Sequence, residues 1–157
     1  MTDAMSESTP LDLASAHKHF STENFNWTWD YIERSNRSPE EDMAMLHTAI
    51  ASLWHWSQRE DATPENFSVG YWQVSRVYNL ISQPNNARTY GLLALKHAKD
   101  LGAFLKGYAY ETLARAEMGS GNRVAMQYYL DRAREMAGQI ADEDDRRLLL
   151  KDLESIR

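Results

Sequence analysis

A helix–turn–helix pattern over residues 110–133 constrains the fold of this chain more than any other feature. The stretch reads YETLARAEMGSGNRVAMQYYLDRA. Gly119 to Gly121 cannot comfortably continue a helix, and Asn122 suits the cap of the next one. Apolar residues recur at helical spacing on both sides of this turn, as Tyr110, Leu113 and Ala114 before it and Met126, Leu130 and Ala133 after it. The pattern predicts an antiparallel helix pair, in which the small residues let the two backbones approach closely.

This stretch resembles a tetratricopeptide repeat, whose motif alternates large and small residues around a turn glycine. Glu117 stands where the family has an aromatic residue, and Met126 stands where it has a small one. A second, weaker copy begins at Tyr71 and carries Gly91 at a position where a large residue is usual, and a third begins at Trp29. The resemblance implies antiparallel helix pairs stacked as a short right-handed superhelix. The alternative is an ordinary antiparallel helical bundle.

Four prolines predict the starts of four helices, near residues 10, 39, 64 and 84. Three of them follow Ser or Thr, which cap the free amides of a helix while proline fits its first position. The expected helices cover residues 10–34, 39–59, 64–82 and 85–101, with a break at Ser21-Thr22 as an open alternative and Gly102 as the end of the fourth. The helix pair over residues 110–133 and a last amphipathic helix capped by Asp142 bring the expected number of helices to seven. We therefore predict an all-α chain with one domain over residues 9–157, a C-terminal capping helix and a disordered tail over residues 1–8.

The whole chain is also similar to uncharacterised bacterial proteins. The shared pattern consists of Phe25-Asn26, His55-Trp56, Ser75-Arg76-Val77-Tyr78 and an acidic, Leu-rich segment over residues 141–153. Those proteins have no assigned activity, so this similarity implies nothing about function.

Composition narrows the functional classes. The net charge is −6 and no basic stripe is present, which argues against nucleic acid as a partner. There is no cysteine for disulfide or thiolate chemistry. No apolar run approaches the roughly 18 residues that cross a membrane. The first ten residues do not resemble a signal peptide, so a cytoplasmic location is expected.

No motif in the sequence predicts catalysis or a cofactor. His47 and His55 are too far apart along one helix to share a metal ion, and no other histidines have ligand spacing. The Gly-Ser-Gly-Asn turn lacks the lysine and the upstream strand of a phosphate loop. We therefore expect no metal site, no cofactor and no enzymatic activity.

In tetratricopeptide repeats the first helix of each pair lines a concave groove that binds peptides. The resemblance implies such a groove here. Arginine can hold a carboxylate through two bonds, and Trp or Tyr packs against apolar groups. The predicted groove residues are Trp72, Arg76 and Asn79 from the third helix and Tyr108, Glu111 and Arg115 from the fifth, with Trp27, Asp30 and Arg34 as candidates from the first. The first hypothesis is thus a non-enzymatic protein- or peptide-binding module, although these residues could also be ordinary surface and core positions.

The five tryptophans all fall in the first half of the chain, which suggests a second hypothesis. A pocket between the first three helices would serve a small-molecule sensor or a minor enzyme. Its walls would be Trp27, His55, Trp56 and Trp72. A third hypothesis is a homodimer, because a short helical stack often covers an apolar face by self-association.

Overall fold

The computed structural model describes residues 11–157, which form seven α-helices and no β-strand. This confirms the predicted all-α class. The predicted tail over residues 1–8 and the predicted helix start at Pro10 lie outside the described residues. The helices are α1 (Leu13–Ile32), α2 (Pro39–Ser57), α3 (Pro64–Leu80), α4 (Pro84–His97), α5 (Ala103–Gly119), α6 (Arg123–Gln139) and α7 (Glu143–Leu153).

Three helices begin at the prolines that predicted them. Pro39, Pro64 and Pro84 open α2, α3 and α4. Ser38 and Glu41 form the expected reciprocal capping box, with the Glu41 amide donating to Ser38 Oγ at 3.2 Å and the Ser38 amide to Glu41 Oε2 at 2.9 Å. These starts were predictable because capping depends only on neighbouring residues.

Helix α1 runs without a break, so the suggested interruption at Ser21-Thr22 is wrong. Both hydroxyls donate back to the carbonyl of Lys18, at 3.0 Å from Ser21 and 3.2 Å from Thr22. A side chain bonded to the preceding turn leaves the helical backbone in place. The helix starts at Leu13, where the carboxylate of Asp12 accepts from the Ala14 amide.

Gly102 begins a helix rather than ending one, which corrects the sequence prediction. Helix α4 already ends at His97, with Ala98 as its C-cap. Gly102 has extended backbone angles, with φ −65° and ψ 166°, and is the N-cap of α5. A glycine that ends a helix most often takes the left-handed conformation, which Gly102 does not adopt.

The turns after α3 and α5 are built alike. Ser82 and Gly121 both have positive φ, 59° and 74°. In each turn the amide of the following residue donates to a carbonyl in the last turns of the preceding helix. Gln83 donates to the Tyr78 carbonyl and Asn122 to the Glu117 carbonyl, both at 2.9 Å. The interval between the turns equals that between Tyr71 and Tyr110, so the helix–turn–helix unit repeats at the spacing read from the sequence. A relationship to tetratricopeptide repeats and a right-handed superhelix stay predictions.

Successive helices pack as pairs, α1 with α2, α3 with α4, and α5 with α6. Helix α5 also contacts α3, α4 and α7. One apolar cluster centres on Met45 of α2 and Val74 and Val77 of α3. The other joins α5, α6 and α7 and includes Leu130 and Leu149. Helix α7 therefore covers the last pair, as expected of a capping helix.

Gly91 explains one departure from the repeat motif. A Cβ atom there would lie 2.9 Å from Leu113 Cδ2 and 3.3 Å from Ser75 Oγ. Leu113 is fully buried. The absence of a side chain at Gly91 lets α4 approach α5 closely enough for Leu113 to fill the space between them.

Within residues 11–157, no helix combines the length and the apolar character needed to cross a membrane.

Candidate ligand groove

The predicted groove residues of α3 and α5, apart from Glu111, lie along one surface formed by two adjoining clefts. The aromatic cleft, of about 410 Å³, is lined by Trp29, Ser68, Val69, Trp72, Arg76, Phe104, Leu105, Tyr108, Leu148 and Asp152. The polar cleft, of about 470 Å³, is lined by Arg76, Asn79, Leu80, Ser82, Pro84, Arg115, Met118, Gly119, Asp152 and Ser155. Arg76 and Asp152 line both, so the clefts adjoin at these two side chains, and the two clefts together are called the groove.

Aromatic rings from three helices form the wall of the aromatic cleft. Trp72 of α3 lies between Trp29 of α1 and Tyr108 of α5, with ring centroids 5.9 Å and 5.5 Å away. Phe104 packs edge-on against Tyr108, with centroids 5.0 Å apart. The Trp72–Tyr108 and Phe104–Tyr108 pairs have the edge-to-face geometry that aromatic pairs prefer, and the Trp29–Trp72 pair is tilted. The result is a mainly apolar cleft with a charged group at its edge.

Two hydrogen-bond donors beside this cleft are buried without a partner among residues 11–157, Trp72 Nε1 and Arg76 Nε. The guanidinium carbon of Arg76 lies 5.6 Å from the Trp29 ring centroid and 5.7 Å from that of Trp72. The two indoles thus give the cation some stabilisation. A buried donor without an acceptor typically costs about 1–3 kcal/mol. Both atoms are covered by neighbouring side chains, so an acceptor in the cleft would remove this penalty where Trp72 and Arg76 adjust to expose them.

Arg115 occupies the place in α5 that Arg76 occupies in α3, but only Arg115 has an acidic partner on its own helix. Arg115 forms an ion pair with Glu111, four residues earlier. It also donates to the Asp152 carbonyl at 2.8 Å and to Ser155 Oγ at 2.9 Å. Four residues before Arg76 stands Trp72 instead of an acid. Arg76 forms no ion pair within residues 11–157.

Glu111 lies beneath the groove surface rather than at it. Its side chain is 1% exposed and its carboxylate is paired with Arg115. Burial raises the pKa of Glu111 above its usual range, while the positive charge of Arg115 acts in the opposite direction. In this arrangement Glu111 positions Arg115 and cannot itself contact a partner.

Tyr108 and Asn79 line the groove, and each is hydrogen-bonded to a neighbouring helix. The Tyr108 hydroxyl donates to Asp152 Oδ2 at 2.8 Å. Burial, followed by the hydrogen bond to Asp152, raises the pKa of Tyr108 above its usual range, so the hydroxyl keeps its proton. Asn79 Nδ2 donates to the carbonyl and the hydroxyl of Thr112, both at 3.1 Å. These bonds fix the relative positions of α3, α5 and α7 along the groove.

Asp152 is the groove residue that sequence reasoning missed. It lies on α7, which was predicted as a cap but not as part of the site. The available signal was the expectation that a capping helix lies beside the last repeat, because that placement brings its polar side to the groove edge. Leu148, one turn earlier on α7, lines the aromatic cleft as well.

The contribution of α1 also differs from the expected one. Trp29 lines the aromatic cleft. Trp27 is 44% exposed, and Asp30 and Arg34 are exposed too. Arg34 instead pairs with Glu41 at the start of α2. None of these three α1 candidates lines either cleft, and α1 contributes Trp29 instead, which lies two positions from Trp27 and so on a different face of the helix.

The four residues of the alternative Trp-rich pocket are distributed over different surfaces. Trp72 lines the aromatic cleft, whereas Trp56 lines a separate cleft with Phe25, Asn66 and Gly70. Trp56 also stacks under the Arg59 guanidinium, at 3.8 Å from its ring centroid. The predicted wall is thus divided between two clefts, neither of which contains Trp27 or His55 among its lining residues.

His55 of α2 contacts a histidine on a different helix, α1. Its Nδ1 atom lies 2.9 Å from Nδ1 of His17 on α1. Burial, and then the charge of His17, lowers the pKa of His55. In the part of the chain that the structure describes, no three His, Asp or Glu side chains are grouped so that they could hold a metal ion. The contact is a hydrogen bond between the two rings.

The chain matches no protein-family model, no curated protein and no solved structure.

Proposed function

We propose that the groove binds a peptide or an extended segment of a partner protein, and that the chain acts as a non-enzymatic binding module. The observation that supports this most directly is the pair of unpartnered donors, Trp72 Nε1 and Arg76 Nε, beside an apolar cleft. A peptide supplies both kinds of group that this surface lacks. Its side chains can fill the aromatic cleft, and its carbonyl oxygens or carboxylates can accept from the donors.

The shape of the groove is consistent with an extended ligand. The two clefts meet at Arg76 and Asp152, so one segment can contact both. Apolar side chains would bind among the aromatic rings, and polar groups would bind next to Arg115 and Ser155. Recognition of this kind combines a buried apolar anchor with a polar surrounding.

Binding can be tested with an array of short peptides of varied sequence and the purified full-length chain. Peptides that bind would be measured by fluorescence polarisation against wild type and Arg76→Gln. We expect Arg76→Gln to weaken binding about tenfold or more, as for loss of a hydrogen bond to a charged group. Arg134→Gln is the matched control, because Arg134 is exposed on α6 and pairs only loosely with Asp131, at 3.6 Å.

Two results would contradict the proposal. One is an array in which no peptide binds. The other is a set of peptides that bind Arg76→Gln, Trp72→Phe and wild type with equal affinity, since that would place the peptide site elsewhere on the chain.

A small molecule is the second candidate occupant. The aromatic cleft, at about 410 Å³, falls within the roughly 300–1,000 Å³ that is usual for small-ligand sites, and its few polar groups converge at one end. The cleft supports the sensor hypothesis with a ligand proposed between α1, α3, α5 and α7 instead of among the first three helices alone.

A further inference from the structure

The junction of the two clefts carries one cation and one anion that face the same space. Arg76 and Asp152 both line the aromatic cleft and the polar cleft. The Tyr108 hydroxyl donates to one oxygen of Asp152, and the carboxylate can still accept further bonds through its other lone pairs. The other two charges nearby, Glu111 and Arg115, already neutralise each other.

This pairing restricts the charge of a ligand. A lone anion would be attracted by Arg76 and repelled by Asp152, and a lone cation would meet the reverse. A ligand with both charges on neighbouring atoms satisfies both side chains. An acceptor next to Arg76 could also accept from Trp72 Nε1, which has no partner among residues 11–157.

The rest of the ligand must be apolar. Beyond the charged junction the aromatic cleft is walled by Trp29, Trp72, Phe104, Tyr108 and Leu148. Contact with these side chains would remove apolar surface from water at roughly 25 cal/mol per Å². The cleft favours an aromatic or large aliphatic group over a small or polar one.

We propose that the aromatic cleft binds a free apolar α-amino acid. The carboxylate contacts Arg76 and the Trp72 indole N–H, the ammonium contacts Asp152, and the side chain packs among the aromatic rings. The inference rests on the groove being a binding site, as proposed above, but not on the occupant being a peptide. The N-terminus of a peptide has an ammonium without a carboxylate on the same carbon, and its C-terminus has the reverse, so only the free amino acid matches both charges.

Titration calorimetry with the full-length chain tests this directly. The probes are L-phenylalanine and L-leucine, with glycine, phenethylamine and N-acetyl-L-phenylalanine as analogues that lack the side chain, the carboxylate and the ammonium. We expect saturable binding of phenylalanine or leucine and a loss of about tenfold or more for each analogue.

Two variants locate the charges. Arg76→Gln and Asp152→Asn should each weaken phenylalanine binding about tenfold or more. Arg134→Gln and Asp131→Asn are matched controls, since these residues form an exposed ion pair on α6, and they should bind as wild type does. Circular dichroism melts establish that each variant is folded.

A spectroscopic measurement on the unaltered chain removes the dependence on variant folding. The five tryptophan indole N–H groups give separate signals in a ¹H–¹⁵N spectrum, and Trp72→Phe identifies the one from Trp72. Addition of phenylalanine should shift that signal most, because its proton gains an acceptor.

Three outcomes would overturn the inference. They are no saturable binding of any free amino acid, equal affinity for phenylalanine and its N-acetyl derivative, and binding that leaves the Trp72 signal unchanged. If array peptides bind the groove while free amino acids do not, this inference fails and the peptide proposal stands. If amino acids bind and peptides do not, the peptide proposal fails.

Discussion

At the residue scale, the contact between His17 and His55 joins α1 to α2 through two titratable rings. A 2.9 Å distance between the two Nδ1 atoms requires one ring to donate and the other to accept. At least one imidazole must therefore be neutral. Burial and the neighbouring ring both lower the pKa of His55, so the folded state disfavours its protonation.

The expected consequence is a loss of stability in acid. A depressed His55 pKa means that the unfolded chain binds the proton more readily, so the free energy of unfolding falls as pH drops below about 6.5. Burial lowers the pKa of His97 too, which acts in the same direction. His55→Gln should therefore flatten the pH dependence only in part, measured by urea unfolding between pH about 8 and about 5. His47→Gln, at an exposed position of α2, should leave it unchanged; the idea fails if both variants behave like wild type.

At the element scale, the approach of α4 to α5 depends on a missing side chain. A Cβ at Gly91 would lie 2.9 Å from Leu113 Cδ2 and 3.1 Å from Leu113 Cγ. Leu113 is fully buried. The space that a side chain at position 91 would occupy is filled instead by Leu113 of the facing helix.

Gly91→Ala should accordingly destabilise the chain. Overpacking typically costs about 1–3 kcal/mol, which exceeds the gain of up to about 1 kcal/mol from replacing glycine inside a helix. Gly138→Ala is the matched control on α6, because no atom lies within 4 Å of the added Cβ, and it should stabilise by about 0.5–1 kcal/mol. Thermal unfolding distinguishes the two. Equal shifts in the same direction would show that the Leu113 contact is not limiting.

Sequence reasoning succeeded for these elements where the determinants are local. Proline with a preceding Ser or Thr located the starts of α2 and α3, Pro84 alone located the start of α4, and the Gly121–Asn122 pair located the turn between α5 and α6. It failed at Gly102 because the end of α4 depends on packing rather than on the nearest glycine. It grouped Trp72, Arg76 and Tyr108 correctly, since helical periodicity defines a face. It missed Asp152 because nothing in the sequence states which helix α7 packs against.

At the scale of the whole molecule, the described chain has two apolar clusters with polar contacts between them. One cluster lies between α2 and α3, and the other joins α5, α6 and α7. Between them, Ser75 Oγ donates to the Ala87 carbonyl at 2.7 Å and contacts Thr112 Oγ1 at 2.7 Å. Buried hydroxyls with satisfied bonds thus add to the apolar contacts that hold α3, α4 and α5 together.

This organisation predicts that core substitutions act regionally. Leu130→Ala and Met45→Ala each remove a buried side chain and should cost about 2–5 kcal/mol. By hydrogen exchange, Leu130→Ala should increase exchange mainly in α5 to α7, and Met45→Ala mainly in α1 to α3. The exposed substitution Val124→Ala serves as the control. Uniform acceleration throughout the chain in both core variants would show a single cooperative unit.

Helix α7 contributes Asp152 to the groove while its Leu149 packs against the bare backbone of Gly107, where an added Cβ would lie 2.5 Å from Leu149 Cδ2. Any ligand that contacts Asp152 therefore binds only the state in which α7 is docked. The two equilibria are coupled, so the factor by which docking of α7 raises the affinity for the ligand equals the factor by which the ligand stabilises the docked α7. The last helix is thus a reporter of occupancy, and protease sensitivity at the C-terminus should decrease in proportion to the fraction of groove that is filled.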